Sequence, residues 1–395
     1  MSNQDEIYME TALKLARRGI GSVEPNPAVG AVIVKANQII GRGWHQKFGG
    51  PHAEINALED CRTLGVKPNG ATMYVTLEPC CHQGKTPPCT QAVISAQIAK
   101  VFVAMTDPSQ HAGGRGIEQL RQAGIEVQTG ICETQAKLLN APFIKFAATG
   151  RTWVTLKWAQ SIDGKVAWAD WIDDRRWISN EQSRRDTHKL RRRTQAILVG
   201  INTIIADDPL LTARPSKGKK AVRIVMDSHL RTPMDSQLLA TIHKSPVIIY
   251  TSQNAVQSNP HAAEELAGKG AELLVYPDTQ GFSNLHFLLD ELSNRGIAQL
   301  LVEGGPTVLT SFFKENLADE IVVYFAPKIL GAQGGTGITS PMAELPQAVG
   351  LHNISIERFG DDVRLSGLSE KAMGEILSSP ENSLEVNTVS EPVNE

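Results

Sequence analysis

Strand-like and helix-like runs alternate along most of this chain, and that alternation restricts it to α/β architecture before any single residue is considered. A helix over 5–18, with Ile7, Met9, Leu13 and Ala16 near one face, precedes strand-like stretches at 28–35 and 38–44. Ala36-Asn37 joins those stretches, a hairpin signal. A helix over 52–64, a strand over 72–77, a helix over 88–99 and a strand over 100–106 give β-α-β-α order, extended by a helix over 117–123 and a strand over 126–129. The pattern resets around Asn140 to Arg151. Strands over 153–157, 196–200, 222–227, 247–250, 272–276 and 299–302 then alternate with helices and predict a second α/β domain. At about 150 residues per domain, 395 residues make two, assigned to 1–147 and 148–370. Residues 371–395 hold five Glu against one Lys and no aromatic residue, so a disordered tail is expected there.

Three of the five cysteines, Cys80, Cys81 and Cys89, crowd into ten positions, which suits metal binding better than a disulfide framework. Cys61 and Cys132 read as core or surface thiols. His52-Ala53-Glu54 opens a helix, Pro79-Cys80 follows a strand, and Cys89 stands nine positions beyond Cys80. One imidazole and two thiolates are three zinc ligands, which leaves a fourth position for water, as catalytic zinc requires. A base must then move the proton, and Glu54 is placed for it. The usual deaminase signature is H-x-E followed by P-C-x-x-C, whereas eight residues separate these two cysteines. A structural site closed by Cys81 or His82 is the bland alternative.

The segments "GWHQKFGGPHAEINAL" at 43–58 and "TLEPCCHQGKTPPC" at 76–89 resemble the bifunctional riboflavin biosynthesis deaminase-reductase family, in which the longer cysteine spacing is usual. That resemblance implies a cytidine-deaminase-like three-layer α/β/α domain, with His52, Cys80 and Cys89 holding one zinc ion per chain and Glu54 as proton shuttle. It further implies that Asn26, His45, Lys85 and Thr86 hold substrate. The family more often has Asn where this chain has Ala28, and Cys81 replaces a common serine.

No G-x-G-x-x-G follows a strand in the second half. Residues 300–307 run from an apolar strand through Gly304-Gly305 into a helix, which suits either a phosphate-binding turn or a packing device. Asp207-Asp208-Pro209 reads equally as a ligand contact or as a turn and cap. The segments "KWAQSIDGKVA", "GINTIIADDPLLTAR", "IVMDS" and "LVEGGPTV" occur in the order of the same family's reductase half, extending the resemblance over about 5–365. A dihydrofolate-reductase-like α/β domain is therefore implied, with NADPH held by Gln160, Trp177, Thr203, Asp207, Ser228, Gly305, Pro306 and Thr307. Arg175, Arg191, Leu211, Arg214 and Glu303 are implied to hold substrate. Arg175 stands where the family has a serine, within the divergent "WADWIDDRRW" at 168–177.

The resemblance implies hydrolytic deamination of 2,5-diamino-6-ribosylamino-4(3H)-pyrimidinone 5′-phosphate, then NADPH-dependent reduction of 5-amino-6-(5-phosphoribosylamino)uracil to the ribitylamino product. The altered 168–177 segment motivates one alternative, a nucleoside, nucleobase or tRNA-base deaminase with a degenerate reductase domain. A zinc-stabilised nucleic-acid-binding module is a second, motivated by Arg184, Arg185, Lys189, Arg191, Arg192 and Arg193. With a net charge of −3, that run reads instead as a solvated helix face with one or two phosphate contacts. No secretory signal or long apolar run is visible, so a cytoplasmic homo-oligomer with small-molecule partners, away from nucleic acid and membrane, is expected.

Overall fold

The computed structural model describes residues 3–82, 88–109, 113–169, 177–215, 220–277, 284–334, 345 and 348–378. The amino-terminal half runs α1 (Asn3–Ala16), β1 (Gly30–Lys35), β2 (Gln38–Trp44), α2 (Ala53–Thr63), β3 (Thr72–Val75), α3 (Cys89–Ser95), β4 (Lys100–Val103), α4 (Arg115–Gln122) and β5 (Glu126–Thr129). Its sheet has the order β2-β1-β3-β4-β5. β1 is antiparallel to β2 and β3, and β3, β4 and β5 are parallel. Ala36 and Asn37 both have positive φ, 50° and 59°, the turn geometry whose twist matches a two-residue hairpin.

Two glycines show how the layers stack. A Cβ on Gly30 would stand 2.0 Å from the Ala12 carbonyl in α1, and one on Gly43 would stand 2.2 Å from the Ala53 carbonyl in α2. Gly43 pairs with Ala31, the neighbour of Gly30, so successive β1 positions face opposite helices. α1 and α2 thus cover the two faces of one sheet, the expected α/β/α sandwich. The buried stripe of α1 is Tyr8, Met9, Ala12, Leu13, Leu15 and Ala16. Ile7 departs from the expected face and is 48% exposed.

Helices α5 (Glu133–Leu139) and α6 (Ala141–Thr149) lead into the second domain. That domain continues β6 (Trp153–Ser161), α7 (Glu181–Arg193), β7 (Ala196–Gly200), α8 (Ile201–Asp207), β8 (Val222–Met226), α9 (Gln237–Ala240), β9 (Val247–Ser252), α10 (Gln253–Ser258), α11 (Pro260–Gly268), β10 (Glu272–Tyr276), α12 (Leu285–Asn294), β11 (Gln299–Val302) and α13 (Pro306–Lys314). β12 (Glu320–Ala326), β13 (Leu351–Phe359), β14 (Asp362–Ser369) and α14 (Glu370–Leu377) complete it. The sheet order is β10-β9-β8-β7-β11-β6-β12-β14-β13, parallel from β10 to β12 and antiparallel across the last two pairs. Separate apolar clusters fill its two faces, as buried parallel strands require.

Two expectations need correction. The tail does not begin at 371: α14 extends through 377, capped by the Ser369 hydroxyl, which accepts the Ala372 N–H at 3.3 Å. Ala372 and Ile376 join the core of the first domain beside α5 and α6. Residues 379–395 lie outside the described residues. Nor is the arginine run a solvated face. Arg191 and Arg193 are largely buried in ion pairs with Glu303 and Glu320, at 2.6 and 2.5 Å, because α7 packs those positions inward. Arg185 and Lys189 keep the solvated part, paired with Glu181 and Asp186.

Candidate active site

His52 is the N-cap residue of α2 and Glu54 lies in its first turn; Cys80 follows β3, and Cys89 opens α3 behind Pro88. Pro suits a helix start because its fixed φ costs no helical N–H. The His52 Nδ1 atom stands 3.6 Å from Cys80 Sγ and 3.3 Å from Cys89 Sγ. Zinc–nitrogen and zinc–sulfur bonds of about 2.0 and 2.3 Å in a tetrahedron span an N···S edge of about 3.5 Å, so the donor set fits that ion. Among the described residues, the potential metal ligands that cluster are these three alone. Neither Cys81 nor His82 joins the set, so among the described residues the fourth protein ligand that a structural site requires is not supplied.

Hydrogen bonds from Cys89 and His52 draw the Cys80 thiol well below its ordinary range, toward the thiolate that a metal takes. Glu54 is only 3% exposed, and burial raises its carboxyl to about 7. A carboxyl balanced near neutrality both accepts and returns a proton, which is what a shuttle must do.

The ligands open onto a cavity of about 410 Å³ whose walls include Asn26, His45, Glu54, Glu78, Asp107 and Ser109. The His45 ring lies edge-on to His52, centroids 5.4 Å apart, with Nδ1 3.0 Å from the Pro51 carbonyl. Burial holds His45 below its ordinary pKa, so the ring is neutral and Nδ1 donates that bond. Its Nε2 is buried without a protein partner and is an unused acceptor beside the metal position. The Asn140 amide fixes the loop carrying Asn26 by bonding both the N–H and the carbonyl of Ala28, at 2.8 and 3.0 Å. Lys85 and Thr86 lie outside the described residues.

In the second domain Glu303 directly follows β11, and the Arg191 guanidinium grips its carboxylate through two bonds of 2.6 and 2.8 Å. Arg191 also donates to the Thr212 carbonyl at 3.2 Å, which ties the cluster to the loop of Leu211 and Arg214. Leu211 is buried there with φ +48°. Gly305 caps α13 without a side chain, Pro306 and Thr307 form its first turn, and a Cβ on Gly305 would have only the Thr203 hydroxyl within 4 Å, at 3.6 Å. That open backbone beside free helical N–H groups fits a dinucleotide phosphate. Asp207 ends α8. Gln160, Trp177 and Ser228 each have a protein partner. Gln160 accepts the Trp158 indole N–H at 2.7 Å, Trp177 stacks on Arg184 at 5.0 Å, and Ser228 accepts the Tyr276 hydroxyl at 2.9 Å. Arg175 lies outside the described residues.

Sequence reasoning missed Lys157 and His188. Lys157 faces Glu303 and Arg191, and burial lowers its pKa. Burial, Arg191 and Arg214 pull His188 to about 4. The only signal for Lys157 was its place in "KWAQSIDGKVA"; His188 was hidden inside the arginine run. Asp107 and Ser109, also missed, follow β4 at the cavity wall.

Comparison with known proteins covers both halves. The cytidine and deoxycytidylate deaminase zinc-binding region matches residues 2–105, and the RibD C-terminal domain matches residues 152–365. Riboflavin biosynthesis protein RibD of Aquifex aeolicus is 43% identical over 364 residues, covering 91% of this chain and 97% of that protein. The solved structure of Acinetobacter baumannii RibD aligns with TM-score 0.77 and 35% identity, covering 93% of this chain and 99% of its own. A diaminohydroxyphosphoribosylaminopyrimidine deaminase/5-amino-6-(5-phosphoribosylamino)uracil reductase from Thermotoga maritima aligns with TM-score 0.76 and 34% identity, at 93% and 99% coverage.

Proposed function

This chain belongs to the bifunctional riboflavin biosynthesis deaminase-reductase family, and from that premise we propose which of its residues carry the two reactions. Its first domain hydrolytically deaminates 2,5-diamino-6-ribosylamino-4(3H)-pyrimidinone 5′-phosphate, and its second reduces 5-amino-6-(5-phosphoribosylamino)uracil to the ribitylamino product. The carrying observation is a three-ligand zinc cluster, open to a cavity, with a buried carboxyl at its edge.

His52, Cys80 and Cys89 hold zinc, which when bound supplies a Lewis-acidic position where water loses a proton near neutral pH. Glu54 receives that proton as the water oxygen bonds to ring carbon C2. It passes that proton to the ring nitrogen, then takes the second proton from the new C2 hydroxyl and gives it to the amine, whose bond to C2 breaks to release ammonia. His45 accepts a substrate N–H at Nε2, and Asn26, Lys85 and Thr86 complete the grip on the ribotide.

In the reductase, NADPH supplies the hydride for C1′ of the opened sugar. Gly305, Pro306 and Thr307, with Thr203 and Asp207, form the phosphate-binding turn, and Gln160, Trp177 and Ser228 extend that site. Arg191 and Glu303 present the substrate contacts together with Arg175, Leu211 and Arg214; Lys157 adds a cation to them. The enclosing sheet and helices exclude water while nicotinamide and sugar align.

Among the described residues no helix is long and apolar enough to cross a membrane, which fits a cytoplasmic enzyme acting on a small molecule. The engagement of Arg191 and Arg193 in ion pairs favours a small phosphorylated pyrimidine over nucleic acid. A homo-oligomer is supported by edge strand β13, where Ile354 and Ile356 share a face and are 55% and 69% exposed. A monomer by sedimentation would remove that part.

The decisive experiment measures ammonia release and NADPH oxidation on the purified chain, beside Glu54→Gln. The variant should keep zinc, lose about 10²–10⁴-fold in ammonia release, and reduce supplied deaminated substrate at the native rate. Undiminished ammonia release removes Glu54 from the chemistry. Turnover of cytidine in place of the ribotide would replace the reading with a nucleoside deaminase.

A further inference from the structure

Glu78 stands between β3 and the zinc ligand Cys80, is buried, and reaches the cavity wall. Its partners are backbone N–H groups on the far side of that wall. One carboxylate oxygen accepts from Asp107 at 3.1 Å and Gly114 at 2.9 Å; the other accepts from Gly116 at 2.8 Å and Ile117 at 3.2 Å. The last two are orphan donors of the first turn of α4, and the α4 N-cap residue, Gly114, has no side chain to satisfy them. Glu78 supplies the missing cap from 36 residues away.

The same contact is enforced from the other side. A Cβ on Gly116 would stand 2.1 Å from the Pro79 carbonyl and 3.1 Å from Glu78 Oε1, so the start of α4 lies against the backbone that leads into Cys80. Asp107 and Ser109 line the cavity, and Ser109 N–H is bonded to the Asp107 carboxylate at 2.9 Å. We propose that Glu78 is a positioning residue of the deaminase: by gathering the N–H groups of Asp107, Gly114, Gly116 and Ile117 it fixes the wall formed by Asp107 and Ser109 relative to the metal ligands. Substrate fit in the cavity therefore depends on an acid that is neither a metal ligand nor the proton shuttle. The inference rests on the deaminase reading above.

Glu78→Gln is nearly isosteric but turns one oxygen into an amide nitrogen, so two backbone donors meet a donor. The deaminase KM should rise about tenfold while kcat changes less than about twofold, the pattern of lost binding rather than lost chemistry. Zinc content and the reductase activity of the same chain should not change. Amide hydrogen exchange should speed up at Asp107 and at 114–117 and stay native elsewhere. An unchanged KM overturns the proposal, as does a fall in kcat at constant KM. A parallel loss of zinc, reductase activity and melting temperature overturns it too, by showing a general structural role. A wild-type chain that releases no ammonia would remove the deaminase reading itself. Native exchange at 114–117 in the variant would overturn the Glu78 assignment whatever substrate the cavity takes.

Discussion

Neutral His188 sits among charges that would favour opposite states. Burial, Arg191 and Arg214 disfavour its cation; Glu303 and the Thr212 carbonyl favour it, and the first group wins, giving a pKa of about 4 against the usual 6.5. The folded chain thus refuses a proton that the unfolded chain takes up below 6.5, so His188 weakens the fold as pH falls from 6.5 toward 4 and has no such effect above 6.5. His188→Gln should flatten the fall of melting temperature over that window; an unchanged slope would show that other groups set it. Residue-level clustering was readable where it depends on local spacing: His52 and Cys89 stand at helix starts, Cys80 follows β3, and the structure brings these three together. Glu78 was not readable, because its meaning lies in four backbone donors supplied by another loop.

Elements differed in legibility for physical reasons. β3, β4 and the parallel strands of the second sheet announce themselves as short, mostly apolar runs between helices. β13 does not, since its interior positions are exposed on both faces and the alternation is confined to Ile354 and Ile356. β12 is a continuous apolar run, EIVVYFA, that periodicity cannot tell from a buried helix segment. α14 was lost to composition, because the Glu- and Ser-rich stretch after it swamped one amphipathic helix of eight residues. Its apolar side matters: Ile376 is 1% exposed against the first domain. Ile376→Ala should cost about 2–5 kcal/mol of stability, read by chemical denaturation, whereas a chain ending at Ser378 should melt as the full one does. A loss below about 0.5 kcal/mol would mean that α14 merely rests on the surface.

Across the whole molecule the two domains are joined by more than a linker. The Lys145 ammonium in α6 meets both carboxylate oxygens of Asp319 at 2.7 Å, and both side chains are buried. Asp319 also accepts the Val154 N–H at the start of β6. Lys145→Met should destabilise by about 3–5 kcal/mol, because it strands a buried carboxylate, and Lys145→Met with Asp319→Asn should recover much of that loss. Equal stability of the single and double variants would show that the pair carries no coupling. Domain order was legible in the alternation and its reset near Asn140, but this weld was not, since Lys145 and Asp319 lie 174 positions apart.

The return of α14 to the first domain also sets an order of events on the ribosome. The deaminase core counts Leu368, Ala372 and Ile376 among its buried residues, so it is completed only after the whole reductase sheet has been translated. A chain cut short within the reductase would leave those three positions of the deaminase core unfilled.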